Sequence, residues 1–364
     1  MARIDAFHDA ARQLGASDLH LTVGQPPLAR VDGVLVPVPF RALDATALED
    51  LVREALPAPA RDTLAAHGAV RLAHVGPEGM RARLSVHLEQ AGLACSSRLV
   101  SARPPRPADL GLPRVITDPG GPRHGLVLVT GPGGSGRSTT VAALVRDALE
   151  REGASVLTLE DPIEHLHAPG VAPVVQRGIG VHVPSRVQGL LAARDGDHDV
   201  IALDDIPDAA TLAAALAAAT SGRRVIATLP TRSAAATLEH LADLGADSPA
   251  TRRALAESLR LVVSQQLVRR ADGRGRVAVH EVMLGTPTVR SLVLEGRTAQ
   301  LPGAIAAGRR LGMQLMDHAL VALVRAGDAD PDDAFLRADD RSALAPFVTR
   351  PALLALAQDE RRAA

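Results

Sequence analysis

Between residues 125 and 230 the chain carries four short, almost continuously apolar runs: GLVLVT, SVLTLE, DVIALD and RVIATLP, separated by stretches of helical character. A strand that is apolar at every position must be covered on both faces. Alternation of such strands with helices supplies that cover and predicts a parallel sheet in an α/β domain. In open sheets of this kind ligands bind beyond the carboxyl ends of the strands. The runs are followed there by polar groups: Ser138 and Thr139, Glu160 and Asp161, Asp204 and Asp205, Thr228 and Thr231. One site is expected along that edge.

The first run leads into GPGGSGRSTT (131–140) and then VAALVRDALE, a strand, glycine-rich loop and helix in succession. This is the context of a phosphate cradle of pattern G-x-x-x-x-G-K-[ST]. Gly131, Gly133, Gly134 and Gly136, with Ser135 among them, let backbone amides wrap an anion. The start of the following helix adds N–H groups that point at it. The loop therefore predicts binding of a nucleoside triphosphate such as ATP, with the Ser138 hydroxyl placed to ligate Mg²⁺ and Thr139 beside it. The lysine position holds Arg137. A guanidinium still neutralises phosphate charge, but it is planar and bulkier than an ammonium. A misplacement of ~1 Å in such a site lowers rates by ~10²-fold.

The other acids suit the same chemistry. Asp204 and Asp205 end a strand, where a nucleotide hydrolase needs a carboxylate for Mg²⁺ or for the attacking water. TLEDPIEH (158–165) supplies Glu160, Asp161 and Glu164 at the end of another. Acids in such places also cap helices, and it is the glycine loop in the same sheet that favours a functional reading. The thirteen histidines show no H-x-x-x-H spacing and the chain has one cysteine, Cys95. That excludes an intramolecular disulfide and a multi-cysteine zinc site.

Composition narrows the partners. A net charge of −1 gives no general attraction to nucleic acid or to acidic membrane. The absence of Trp and Tyr removes the stacking platforms of a single-strand binder. No apolar run approaches the ~20 residues that span a bilayer, and the opening MARIDAFHDAARQLG reads as an amphipathic helix rather than a signal peptide. A cytoplasmic protein is expected. The chain also has no lysine and no asparagine, all 40 basic residues being arginine. Position 137 can therefore hold arginine for compositional reasons alone.

Residues 1–100 mix helices, near 1–14 and 46–56, with strand-like runs at 19–23, 28–33, 34–38 and 81–88. They predict a small α+β domain. Proline-rich residues 101–113 read as a linker, 114–342 as the sheet domain with a helical C-terminal part, and 343–364 as a tail. The stretch 250–268 reads as helical, 276–284 as a strand and 311–327 as a helix.

Four segments resemble the type IV pilus retraction, or twitching-motility, ATPases of the type II/IV secretion superfamily: GASDLHLTVGQPPLARVDG (15–33), TLEDPIEHLH, HEVMLGTPTVRSLVLEGR (280–297) and GRRLGMQLMDHAL (308–320). The resemblance implies a PAS-like N-terminal domain and a RecA-like P-loop domain. It implies a homo-hexamer, or a mixed hexamer with a related ATPase, acting on an inner-membrane pilus platform protein and not on nucleic acid. It further implies that Gly136, Arg137, Ser138 and Thr139 hold phosphate and Mg²⁺, that Glu160 and Glu164 stand in the family's Asp box, and that Arg83 and Arg98 are the N-terminal arginines that reach the nucleotide. Asp205 falls on the catalytic Walker B glutamate, with Asp204 beside it as a further metal ligand. Asp205 is one methylene shorter than glutamate, withdrawing its carboxylate by ~1.5 Å, one C–C bond. Arg223 and Pro230 stand where the family's His box has histidines. Two readings follow: a slow ATP-hydrolysing motor subunit, or a catalytically degraded pseudo-ATPase that regulates or scaffolds a pilus or secretion motor.

Overall fold

The computed structural model describes residues 2–100, 103–117, 123–168, 170–246 and 248–354. It divides into two units, Met1–Pro104 with Glu160–His167, and Pro105–Leu159 with Ala168–Ala364.

The first unit is built on an antiparallel sheet of β1 (Asp18–Thr22), β2 (Leu28–Val31), β3 (Val34–Pro37), β4 (Ala69–Val75), β5 (Arg81–Glu89) and β6 (Gly92–Val100), in the order β3-β2-β1-β6-β5-β4. β2 and β3 are joined by Asp32 and Gly33, whose φ values of 49° and 89° give the Asp-Gly turn that matches the twist of a tight hairpin. Alternation along β1 sends Leu19 and Leu21 into the core. There they join Ile4, Phe7 and Ala11, which share one face of the helix Ile4–Gln13, and Leu48, Leu51 and Val52 of the helix Ala45–Ala55. Asp44 caps that second helix, accepting from Ala47 N–H at 2.8 Å. β4 and β6 are not apparent in the sequence, because RLAHV and LACSSRLV interleave apolar with charged or small polar residues.

The second unit holds β7 (Gly125–Thr130), β8 (Val156–Glu160), β9 (Val174–Gly178), β10 (Val200–Leu203), β11 (Arg224–Leu229), β12 (Leu259–Arg269) and β13 (Arg276–Leu284), ordered β13-β12-β7-β11-β10-β8-β9. β7 runs parallel to β11 and β12, and β10 runs parallel to β11 and β8, while β13 closes one edge antiparallel to β12. Every residue of β7 is buried. Leu126 and Leu128 point into the core on one face of the sheet, Val127 and Val129 into the core on the other. This is the doubly covered parallel sheet expected from the four apolar runs.

The expectation of a helix over 250–268 is corrected. The helix Pro249–Ser258 stops there, and Leu259–Arg269 is β12, buried at seven of its 11 positions. The helix expected over 311–327 spans Met316–Ala326, and a further helix, Pro331–Arg337, follows it. The start of the expected tail is packed: Leu344 is fully buried with Phe335 and Leu320. Residues 355–364 lie outside the described residues.

Candidate nucleotide site

β7 ends at Thr130 and the chain turns through Gly131, Gly133, Gly134 and Gly136 into the helix Arg137–Asp147. Gly131 has φ 151°, and a Cβ there would collide with the carbonyl oxygen of Gln265. Gly134 and Gly136 also take positive φ, 77° and 89°. Glycine is thus required by the backbone path itself. The path is braced from β12: the buried Gln265 amide donates to the Ser135 carbonyl at 2.6 Å and accepts from Thr140 Oγ1 at 2.8 Å. Below the loop, Thr130 Oγ1 donates to Ser264 Oγ at 2.9 Å.

Within the loop, Ser135 Oγ is buried and has no hydrogen-bond partner among the described residues. Buried hydroxyls are nearly always partnered, so this one suits an anion or its hydration shell. Ser138 is exposed on the first turn of the helix, with Thr139 half-buried beside it. Arg137 folds back, Nη1 donating to the Gly131 carbonyl at 2.8 Å. Its guanidinium therefore sits on the loop's own backbone.

Since β7, β10 and β11 are parallel neighbours, Asp204, Asp205 and Pro230 emerge at the same edge of the sheet as the loop. The two aspartates differ. Asp204, expected as a metal ligand, has both carboxylate oxygens on Arg186, from Nε and Nη2 at 2.8 Å each. Asp205 Oδ1 accepts from the Ile206 amide at 2.9 Å. Thr228 Oγ1 donates to the Asp204 carbonyl, tying this turn to β11. Asp208 caps the helix Ala209–Thr220, and the Thr211 amide holds its carboxyl below the usual range. The third acid of DDIPD is thereby accounted for by the fold. Arg223 precedes β11, at the opposite edge from the loop, and donates to the Arg194 carbonyl at 3.0 Å.

Glu160, Glu164, Arg83 and Arg98 belong to the first unit. Arg83 Nη1 donates to Glu164 Oε1 at 2.6 Å, Arg81 donates to the Glu164 and Ile163 carbonyls at 2.9 and 2.8 Å, and Arg71 to Asp161 Oδ2 at 2.8 Å. Glu160 Oε2 accepts from the Glu164 amide at 3.4 Å. Arg98 lies directly across from Arg83 in the β5–β6 ladder, but its Nε donates to Asp18 at 3.0 Å. The acidic segment is thus gathered around β4 and β5, with Arg98 engaged elsewhere. Gln265 and Arg186 were not legible as site residues. A polar pair inside the apolar LVVSQQLV was the one available hint for Gln265, and Arg186 carries no local signal at all.

The chain that carries this loop is similar to known proteins over most of its length. The model of the type II/IV secretion system protein family matches residues 121–311. The chain belongs to that family. The uncharacterized protein YggR of Escherichia coli is 40% identical over 300 residues, covering 82% of this chain and 90% of the relative. The type IV pilus retractation ATPase PilT of Pseudomonas aeruginosa is 35% identical over 315 residues, covering 86% and 91%. Among solved structures, the pilus retraction motor PilT with bound ADP matches with TM-score 0.79 at 29% identity, covering 93% of this chain and 98% of that one. The Legionella pneumophila ATPase DotB matches with TM-score 0.78 at 28% identity, covering 92% and 94%. Within the family the chain is a divergent member of the retraction type. Among the described residues no helix is long and apolar enough to cross a membrane.

Proposed function

We propose that this chain is an ATP-binding, slowly hydrolysing subunit of a hexameric motor that acts on a pilus or secretion platform protein. The observation that carries the reading is the braced glycine loop with its unpartnered Ser135 hydroxyl. Amides of 133–138 and the helix start would hold the phosphates, and Arg137 would neutralise part of their charge. Asp205 would orient the attacking water, with Arg186 and Thr228 fixing the turn that carries it. The oxygen donors Ser138 and Asp205 suit a hard cation. Mg²⁺ held there would supply charge neutralisation at the phosphate oxygens.

Turnover is expected to be low for three reasons: the shortened Asp205, the guanidinium at 137 and the loss of a histidine at Pro230, all at one edge of the sheet. One observation favours the second reading, a regulatory pseudo-ATPase. Arg137 Nη1 donates to the Gly131 carbonyl, so part of its guanidinium is engaged by the loop's own backbone.

The test is a Mg-ATP binding isotherm beside steady-state hydrolysis on the full chain. Binding is expected, with slow turnover that Asp205→Ala abolishes and that the combined Arg137→Lys, Asp205→Glu and Pro230→His variant raises at least about 10-fold, each group being worth up to ~10². Binding without turnover in either form would establish the regulatory reading. Absence of binding would remove both.

A further inference from the structure

We propose that Asp5, His8 and His74 form a site for a divalent transition-metal ion of the zinc class inside the first unit. Asp5 and His8 lie three residues apart on the helix Ile4–Gln13, so both side chains project from one face. His74 comes from β4, an edge strand of the sheet. One potential ligand atom from each of the three lies within 4.8 Å of the others. All three are buried, with exposures of 2% for Asp5, 0% for His8 and 8% for His74.

Two of these residues have an ordinary explanation and the third does not. His74 Nε2 is 2.7 Å from Asp5 Oδ1, a buried His–Asp pair of the kind that stabilises many folds. His8 is different. Its Nε2 is 2.9 Å from Ser97 Oγ, a fully buried hydroxyl on β6. Its Nδ1 is buried and has no hydrogen-bond partner among the described residues. Buried ring nitrogens are seldom left in that state. In the tautomer that donates Nε2–H to Ser97 Oγ, Nδ1 carries the lone pair. A ring nitrogen fixed by a hydrogen bond from its other nitrogen is the usual arrangement of a metal-binding imidazole. The rings of His8 and His74 stand 5.6 Å apart between centroids, so both nitrogens can turn toward one ion.

The surroundings keep this space for the three side chains. A Cβ on Gly76 would come within 3.0 Å of Asp5 Oδ1 and would collide with Met80. Cys95 touches Ser97, not the cluster, and burial pushes its thiol up to about 12. The donor set is therefore two imidazoles and a carboxylate. That set suits zinc and its transition-metal neighbours better than Mg²⁺ or Ca²⁺. Tetrahedral zinc with bonds of ~2.0–2.1 Å needs ligand atoms ~3.4 Å apart. Closing the widest separation, at most 4.8 Å, by up to about 1.4 Å is within reach of side-chain rotation. The fourth position falls to water or to the second oxygen of Asp5. An ion there would staple the first helix to the edge of the sheet. It would enter through local opening of the helix Ile4–Gln13, which carries two of the three ligands.

The experiment uses the untagged full chain, stripped with chelator and titrated with Zn²⁺ alone, without nucleotide. Elemental analysis should give one ion per chain, and thermal unfolding should shift upward with Zn²⁺ concentration. His8→Gln and His74→Gln should each weaken binding at least about 100-fold, no less than the ~10–100-fold that follows from losing an outer-shell partner alone, while exposed His87→Gln leaves it unchanged. Undiminished binding in the His8→Gln, His74→Gln double variant would overturn the proposal. So would the absence of a stoichiometric site in the parent chain. Should the variants fail to fold, the parent chain decides. Zn²⁺ should slow amide exchange across residues 4–13, and Co²⁺ should give the visible absorption of a low-coordinate nitrogen and oxygen site. Unchanged exchange there would overturn the proposal equally.

Discussion

Gln265 holds the phosphate loop at two points, and neither is replaceable by an apolar side chain of the same size. Gln265→Leu strands the Ser135 carbonyl and the Thr140 hydroxyl, both buried. A destabilisation of about 1–3 kcal/mol is expected, together with weaker nucleotide binding. Gly131→Ala should abolish binding and also destabilise the fold, because its Cβ would press on the Gln265 carbonyl of β12 as well as on Ser135 within the loop. Isotherms on both variants check this; unaltered affinity in Gln265→Leu would show that the brace serves stability only. His280, Gln265's cross-strand neighbour, titrates at about 4 because burial disfavours its charged form. Between about 4 and 6.5 the unfolded chain binds the extra proton, so stability falls as pH drops through that window. The full effect is on the order of 3 kcal/mol. Denaturant titrations at pH 7 and pH 4.5 should show a smaller loss for His280→Leu than for the parent; an identical loss would assign the pH dependence to other groups. The glycines and acids of the site were legible because their spacing is local. Gln265 was not, since its partners lie 130 and 125 positions away.

At the scale of elements, periodicity served where a segment has a single burial pattern. The four parallel strands were legible because nothing but a doubly covered sheet accommodates runs like GLVLVT. β12 was hidden by its junction with the helix Pro249–Ser258: Leu255, Leu259, Val262 and Val263 carry the helical spacing of apolar residues through Glu257, Ser258 and Arg260, and no glycine or proline marks the change. The paired Val262 and Val263, β-branched residues, were the signal for a strand. The C-terminal segment was hidden for a different reason, since its anchor is polar. Asp332 accepts from the Thr349 and Arg350 amides at 2.8 and 3.3 Å and from the Thr349 hydroxyl. Asp332→Ala should release residues 344–350. Amide exchange there should speed up about 10-fold or more, equivalent to ~1.4 kcal/mol, with the β7–β11 core unaffected. Unchanged exchange would place the anchoring in the Leu344 contacts instead.

At the scale of the whole molecule, the segment Glu160–His167 lies between two motor strands in sequence and groups with the N-terminal sheet in space. The sequence showed its acids but not their partners. The Arg83–Glu164 pair spans 81 residues, and no periodicity encodes such a distance. The pair joins a guanidinium whose side chain is 27% exposed to a carboxylate that is 9% exposed. Removing Arg83 leaves that carboxylate without its strongest partner, at an expected loss of about 1–3 kcal/mol. Arg81 still binds the neighbouring carbonyls, so the segment should stay docked in either single variant. The double variant Arg83→Ala, Glu164→Ala should fall short of the summed single effects by about 0.5–3 kcal/mol. The same set separates anchoring from catalysis. If Arg83 only anchors the acidic segment, Arg83→Ala and Glu164→Ala lose ATP turnover equally at matched folded fraction. If its guanidinium also meets charge developing on the nucleotide, Arg83→Ala loses at least about 10-fold more, the scale of a charged group acting on the transition state. Equal losses are expected from the pairing of Arg83 with Glu164; a larger loss in Arg83→Ala would give its guanidinium a role beyond anchoring.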